Sequence, residues 1–107
     1  MTDLEMQIVG IISSAGDSKG KAFKALKKVK CGDYEGAKAL IEESRKIDLE
    51  AHKIQTALIQ SEMDPDTDHA PLSLLMVHAQ DHYMTSQLAR DLIETLIEVF
   101  EAKEGGK

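Results

Sequence analysis

The stretch "LLMVHAQDHYMTSQLA", residues 74–89, carries His78, Asp81 and His82 within five residues of an otherwise largely apolar segment. Positions i, i+3 and i+4 share one face of a helix, so two imidazoles and a carboxylate can meet there. Three kinds of chemistry fit. A hydrogen-bonded polar layer could fix register in a helical bundle. "HAQDH" also has the spacing of the H-x-x-E-H metalloproteases, with Asp for Glu. Asp is one methylene shorter than that general base, and a catalytic zinc wants a third ligand. His52, His69 or a distant Glu could serve, none at a telling spacing. Lastly, neutral imidazole is a nucleophile near pH 7, because its unperturbed pKa is about 6.5. His78 could accept a phosphoryl group in line and pass it on, with His82, one turn along, as a donor that balances the phosphoryl charge. Residue chemistry alone leaves the polar layer and the phosphoryl carrier level.

The elements that must position these residues are helical. The chain has 107 residues, 42% of them hydrophobic, 30% charged and 4% aromatic. A core of Leu, Ile, Val, Ala and Met favours helices over a β-sandwich. The length suits one domain, residues 1–107, and the pattern predicts an all-α, antiparallel three-helix up-down-up bundle. The first helix spans about residues 3–30. Thr2 and Glu5 have capping-box spacing, and Leu4, Ile8, Ile11, Ala15, Ala22, Leu26 and Val29 recur at helical spacing. Gly16 and Gly20 each cost ~1 kcal/mol against Ala and mark a place for a kink.

In "CGDY", Gly32 suits the left-handed position after a helix and Asp33 the next N-cap. The second helix runs over about 33–61, with Tyr34, Ala37, Ile41, Ser44, Ile47, Ala51, Ile54 and Leu58 on one side. A loop follows over 62–70. Asp64, Asp66 and Asp68 look like half of a calcium loop. His69 stands where the turn wants Gly, however, and Leu75 where a bidentate Glu is required. A polar linker whose Asp residues complement the next helix N-terminus is the better reading. Pro71 fits the first turn of a third helix over about 71–103, roughly 33 residues or ~50 Å long. The tail, 104–107, is expected to fray.

The third helix has more apolar surface than one bundle position needs. One seam reads Leu74, His78, Asp81, Thr85, Leu88, Leu92, Thr95 and Val99. The next reads Leu75, Ala79, His82, Ser86, Ala89, Ile93, Leu96 and Phe100. A third, Met76, Tyr83, Gln87, Arg90, Glu94 and Ile97, is mixed. Either the helix is central in its own bundle, or the second seam packs against other copies. A homo-oligomer is the favoured expectation, since large apolar faces on soluble chains usually have partners. If the first seam lies on a symmetry axis, copies of Asp81 converge. They must then take up protons or share a cation, for which Mg²⁺ suits carboxylate oxygens.

The net charge of −6 argues against a nucleic-acid partner. Lys19, Lys21, Lys24, Lys27, Lys28 and Lys30 dissent, with no acid among them. They form a solvated helix face or, less readily, a docking patch for an acidic or phosphate-bearing partner. The lone Cys31 makes no internal disulfide and no redox or zinc motif. No signal peptide and no apolar run near 18 residues is visible, so a cytoplasmic protein is expected.

"LLMVHAQDHYMTSQLARDLI" closely resembles the active-site segment of the lactose/cellobiose-type IIA proteins of the bacterial phosphoenolpyruvate sugar phosphotransferase system. "GDYEGAKALIEESRKIDLEAHKIQT" is similar to that family's second helix and "GKAFKALKKVKCGDY" to the end of its first. The resemblance implies a homotrimer, a nine-helix bundle with the third helices near the axis. It implies that His78 takes a phosphoryl group from HPr, as a tele-phosphohistidine, and donates it to the active-site Cys of the IIB component. It also implies that Asp81 binds a metal, one Mg²⁺ per trimer at the axis, and that His82 lies near the phosphoryl group. A IIA subunit inserts in no membrane and does not contact the sugar, so lactose, cellobiose, chitobiose and aromatic β-glucosides all fit. Gln80 lies inside the motif without an implied role. Tyr83 departs from the family pattern, where an aliphatic residue, usually Leu, is expected. On the mixed seam it would touch a partner or the neighbouring helix and leave the phosphoryl site undisturbed.

Overall fold

The computed structural model describes residues 2–66 and 73–105, which form three helices and, among the described residues, no strand. They are α1 (Asp3–Lys30), α2 (Tyr34–Met63) and α3 (Leu74–Gly105). Thr2 and Glu5 make the expected capping box. The Thr2 hydroxyl accepts from the Glu5 N–H at 3.1 Å, and the Glu5 carboxylate accepts from the Thr2 N–H at 3.1 Å. Such a cap stabilises a helix by about 1 kcal/mol. Gly32 takes φ 75°, the left-handed geometry that ends α1 cheaply only for glycine. Asp33 then caps α2, accepting from the Gly36 N–H at 2.9 Å.

α1 runs unbroken through Gly16 and Gly20. Between them Ser18 is fully buried and locked to Ser44 of α2. Each hydroxyl donates to the other residue's carbonyl, at 3.1 and 2.9 Å. This pairing and the buried Ala15 and Ala22 on either side hold the helix through its two weakest positions. α1 and α2 are antiparallel, as are α2 and α3, which gives the expected up-down-up order in a body 60 × 24 × 19 Å.

The core has two apolar clusters. Ile8, Ile11, Ala51, Ala79 and Tyr83 pack at the end nearer the start of α3, and Ala22, Ala25, Ala37, Ile41, Ile93 and Ile97 at the other. A waist of Ser18, Ser44 and Ser86, each 0% exposed, separates them.

The helix ends differ from the sequence reading. α2 continues to Met63, two residues past Ser61. α3 begins at Leu74 because Ser73 caps it, its hydroxyl accepting from the Met76 N–H at 3.1 Å. Pro71, like Asp68 and His69, lies outside the described residues. At the far end Glu104 is still helical, and its carboxylate accepts from the Tyr34 hydroxyl.

Candidate phosphoryl-transfer site

α3 sorts its seams plainly. Every residue of the first seam, from Leu74 to Val99, is exposed, with Leu88 at 66% and Leu92 at 57%. The second seam faces inward through the buried Ala79, Ser86 and Ile93, and the mixed seam does so through Tyr83 and Ile97. The apolar excess thus lies on the first seam, and the expectation that the second packs against other copies is corrected. α3 meets α1 on one flank and α2 on the other, so its second and mixed seams are used within the protomer.

His78 and Asp81 stand exposed on this bare seam, and His82 is half-buried on its flank. The two imidazoles meet edge to face, 4.4 Å between centroids with 77° between planes. His82 Nδ1 is buried and has no hydrogen-bond partner among the described residues. The Thr85 hydroxyl donates back to the Asp81 carbonyl at 2.8 Å, so the next turn stays helical with its polar group satisfied.

Asp81 also borders an open groove of about 520 Å³ between α2 and α3, walled by Leu58, Ile59, Met76, Val77 and Met84. It is the first seam's only carboxylate. One protomer supplies no ligand set around it: among the described residues, no three His, Cys, Asp or Glu gather to hold an ion. The candidate third ligand for a zinc site, His52, does not reach His78 and His82 but pairs with Tyr83, and His69 lies outside the described residues. In the loop, the Asp66 N–H donates to the Asp64 carboxylate at 2.9 Å, a local turn.

Polar residues of α2 that the periodicity did not single out pair with the mixed seam and end of α3. Lys38 pairs with Glu101 at 2.7 Å, and Arg45 makes a forked contact to Glu94 at 2.8 and 2.9 Å. Deeper, Asp48 is only 3% exposed, pairs with Arg90 and accepts from the Ser86 hydroxyl at 3.4 Å. The available signal was position, since an acid at 48 falls on the same side as Ile41, Ser44 and Ala51. The last rung joins His52 Nδ1 to the Tyr83 hydroxyl at 2.9 Å, with Gln87 Nε2 donating to the same oxygen at 3.0 Å. Burial raises the Tyr83 pKa above its ordinary value. The Asp48 charge adds to this, while Arg90 and the Gln87 hydrogen bond oppose it. The phenol therefore keeps its proton at neutral pH, accepting from Gln87 and sharing a hydrogen bond with His52 Nδ1. On α1, Lys21 pairs with Glu43 and Lys28 with Asp33. Lys19, Lys24, Lys27 and Lys30 form no ion pair among the described residues.

Comparison with known proteins agrees with this geometry. The N,N'-diacetylchitobiose-specific EIIA component of Escherichia coli K12 is 46% identical over 99 residues, covering 92% of this chain and 84% of the relative. A crystal structure of the cellobiose-specific enzyme IIA from Bacillus anthracis superposes with a TM-score of 0.91 at 30% identity, covering 100% of this chain and 96% of the other. The IIA(chitobiose) chain in a solution structure of the Escherichia coli IIA(chitobiose)–HPr complex gives 0.82 at 42% identity, covering 97% and 99%. A family model for the lactose/cellobiose-specific IIA subunit of the phosphotransferase system matches residues 6–101. With nearly the whole helical bundle inside that match, the chain belongs to the lactose/cellobiose-specific IIA family and is a phosphotransfer protein.

Proposed function

We propose that His78 is the residue that carries the phosphoryl group, in the cytoplasm, between HPr and the cysteine of a IIB component of the same sugar-uptake system. The carrying observation is the pairing of an exposed His78 with His82, edge to face, on the bare seam of α3 in a chain of this family. The relative whose IIA(chitobiose) subunit was solved in complex with HPr supports HPr as the donor. In the forward step the lone pair of His78 Nε2 attacks the phosphorus of phospho-HPr in line. The new N–P bond forms as the N–P bond to the HPr imidazole breaks, and the phosphoryl group stays on His78 as a tele-phosphohistidine. In the second step the IIB thiolate attacks that phosphorus, and the electron pair returns to Nε2.

Such a transfer needs little covalent help beyond positioning and charge balance. An imidazole N–H from His82 would supply the second, hydrogen-bonding to phosphoryl oxygens. A buried polar atom without a partner costs on the order of 1–3 kcal/mol, so the unpartnered Nδ1 of His82 favours any state that brings it one. A neighbouring subunit is one source.

The bare seam supports assembly. An exposed seam carrying Leu74, Leu88, Leu92 and Val99 calls for a partner, and a homotrimer with the α3 helices around the axis would cover it. Three Asp81 carboxylates would then converge, and a hard cation such as Mg²⁺ would relieve their repulsion. The donor type fits, because the ligands would be carboxylate oxygens from several copies.

The test is direct. The protein is incubated with phosphoenolpyruvate, enzyme I and HPr and examined for an acid-labile phosphoryl group. Wild type should label and His78→Ala should not. Equal labelling of the two sinks the assignment.

A further inference from the structure

The polar rungs between α2 and α3 stop at one place. From Tyr34–Glu104 through Lys38–Glu101, Arg45–Glu94 and Asp48–Arg90 they recur up the interface, and among the described residues His52–Tyr83 is the last such pair. Above it the two helices part into the groove walled by Leu58, Ile59, Met76 and Met84. Tyr83 is adjacent to His82, and His78 lies five residues, ~7.5 Å of helix rise, further into the loosely held half. At that level Ala79 packs with Ile8 and Ile11 of α1 and with Ala51 of α2.

Resting on the reading of His78 and His82 above, we infer that Tyr83 and His52 are positioning residues for the phosphoryl site. The Tyr83 hydroxyl is held from two sides. It shares a hydrogen bond with a ring nitrogen of His52 on α2 and accepts from Gln87 one turn along α3. The bond to His52, made by a phenol that is 5% exposed, ties the rotation of α3 about its axis to α2, and the Gln87 bond within α3 holds the hydroxyl in place for it. Rotation matters because the side-chain surface lies ~6 Å from the helix axis, so a turn of about 10° displaces it by about 1 Å. Displacements of that size in a transfer geometry can cost on the order of a hundredfold in rate. A leucine at 83 could fill the space but would make neither bond.

The experiment compares the full-length wild type with Tyr83→Phe, which keeps the ring and removes the hydroxyl. His52→Ala and the hydrogen-bonding His52→Asn accompany it. Transfer from phospho-HPr should slow on the order of tenfold in kcat for Tyr83→Phe and His52→Ala, with KM for HPr unchanged. The imidazole ¹H–¹⁵N signals of His78 and His82 should move in both variants, and His52→Asn should restore rate and signals towards wild type. A lowered melting temperature with unchanged kcat and unchanged imidazole signals makes Tyr83 a core residue only and overturns the inference. If wild type takes no phosphoryl group from phospho-HPr, the proposed function fails. The imidazole signals then decide alone: moved signals support positioning by Tyr83, and unmoved ones overturn it.

Discussion

The rings of His78 and His82 meet at 77°, 4.4 Å between centroids, so the edge of one imidazole faces the plane of the other. Neither ring can turn freely without losing that contact. If His82 supplies a preorganised donor to the phosphoryl oxygens, His82→Ala should still label on His78 but on the order of a hundredfold more slowly, the usual loss when one such donor is removed. Rapid-quench kinetics of transfer from phospho-HPr measures this, and an unaltered rate removes His82 from the site.

Asp81 stands on the exposed seam between His78 and Thr85 and, under the proposed trimer, would meet its copies at the axis. On that proposal, Asp81→Leu would remove the like-charge repulsion together with the need for a cation. The variant should remain trimeric by sedimentation equilibrium whether or not a chelator is present, whereas wild type should weaken when divalent cation is withdrawn. A monomeric Asp81→Leu counts against an axial carboxylate cluster.

Assembly itself should depend on Leu88 and Leu92, 66% and 57% exposed in the protomer. Leu88→Glu with Leu92→Glu places charge on the bare seam without touching the protomer core. Light scattering should report a mass near the 11.8 kDa of one chain, with the helical circular dichroism retained. A trimer that persists moves the interface elsewhere on the molecule.

Much of this was legible in the sequence, and the rest failed for physical reasons. Periodicity places the three helices, and cap residues fix the starts at Thr2 and Asp33 because their hydrogen bonds are local. It cannot say which of two adjacent apolar seams on α3 turns inward, since that depends on how α1 and α2 flank the helix. The first seam, with His78 and Asp81, is therefore recognisable as special from its residues, but its exposure appears only in three dimensions. Asp48 escaped notice because the acid satisfies a long-range partner, Arg90, 42 residues away. Tyr83 and His52 are likewise joined across helices. Gly16 and Gly20 suggested a kink, yet the Ser18–Ser44 pairing outweighs their ~1 kcal/mol penalties.

The Asp48–Arg90 pair invites a stability test. Asp48 and Arg90 side chains are 4% and 11% exposed, so removing Asp48 leaves the buried Arg90 charge only its contact to the more exposed Asp91 at 3.3 Å. Asp48→Ala should destabilise the fold by roughly 3–5 kcal/mol, whereas Asp48→Leu combined with Arg90→Met should lose much less, because the charges leave together. Urea unfolding of both variants checks the asymmetry. Equal losses mean the pair contributes through packing alone.

The buried phenol of Tyr83 should leave its mark at alkaline pH. Its pKa in the folded state is raised above the ordinary value of 10.0, first by burial and then by Asp48. In the interval between the unfolded and folded values the native state holds more protons than the unfolded one, so stability falls as pH rises. The contribution is fully present below pH 10 and is lost as pH climbs through the folded value. Tyr34 and Lys38, whose pKa values are also raised, titrate in the same direction in both wild type and Tyr83→Phe and cancel in the difference. Urea unfolding of the two proteins from about pH 8 to about pH 11.5, a range spanning the ordinary tyrosine value, should therefore show a steeper alkaline loss for wild type. Parallel curves would mean that the hydroxyl titrates as if exposed, which its burial and the nearby Asp48 charge oppose.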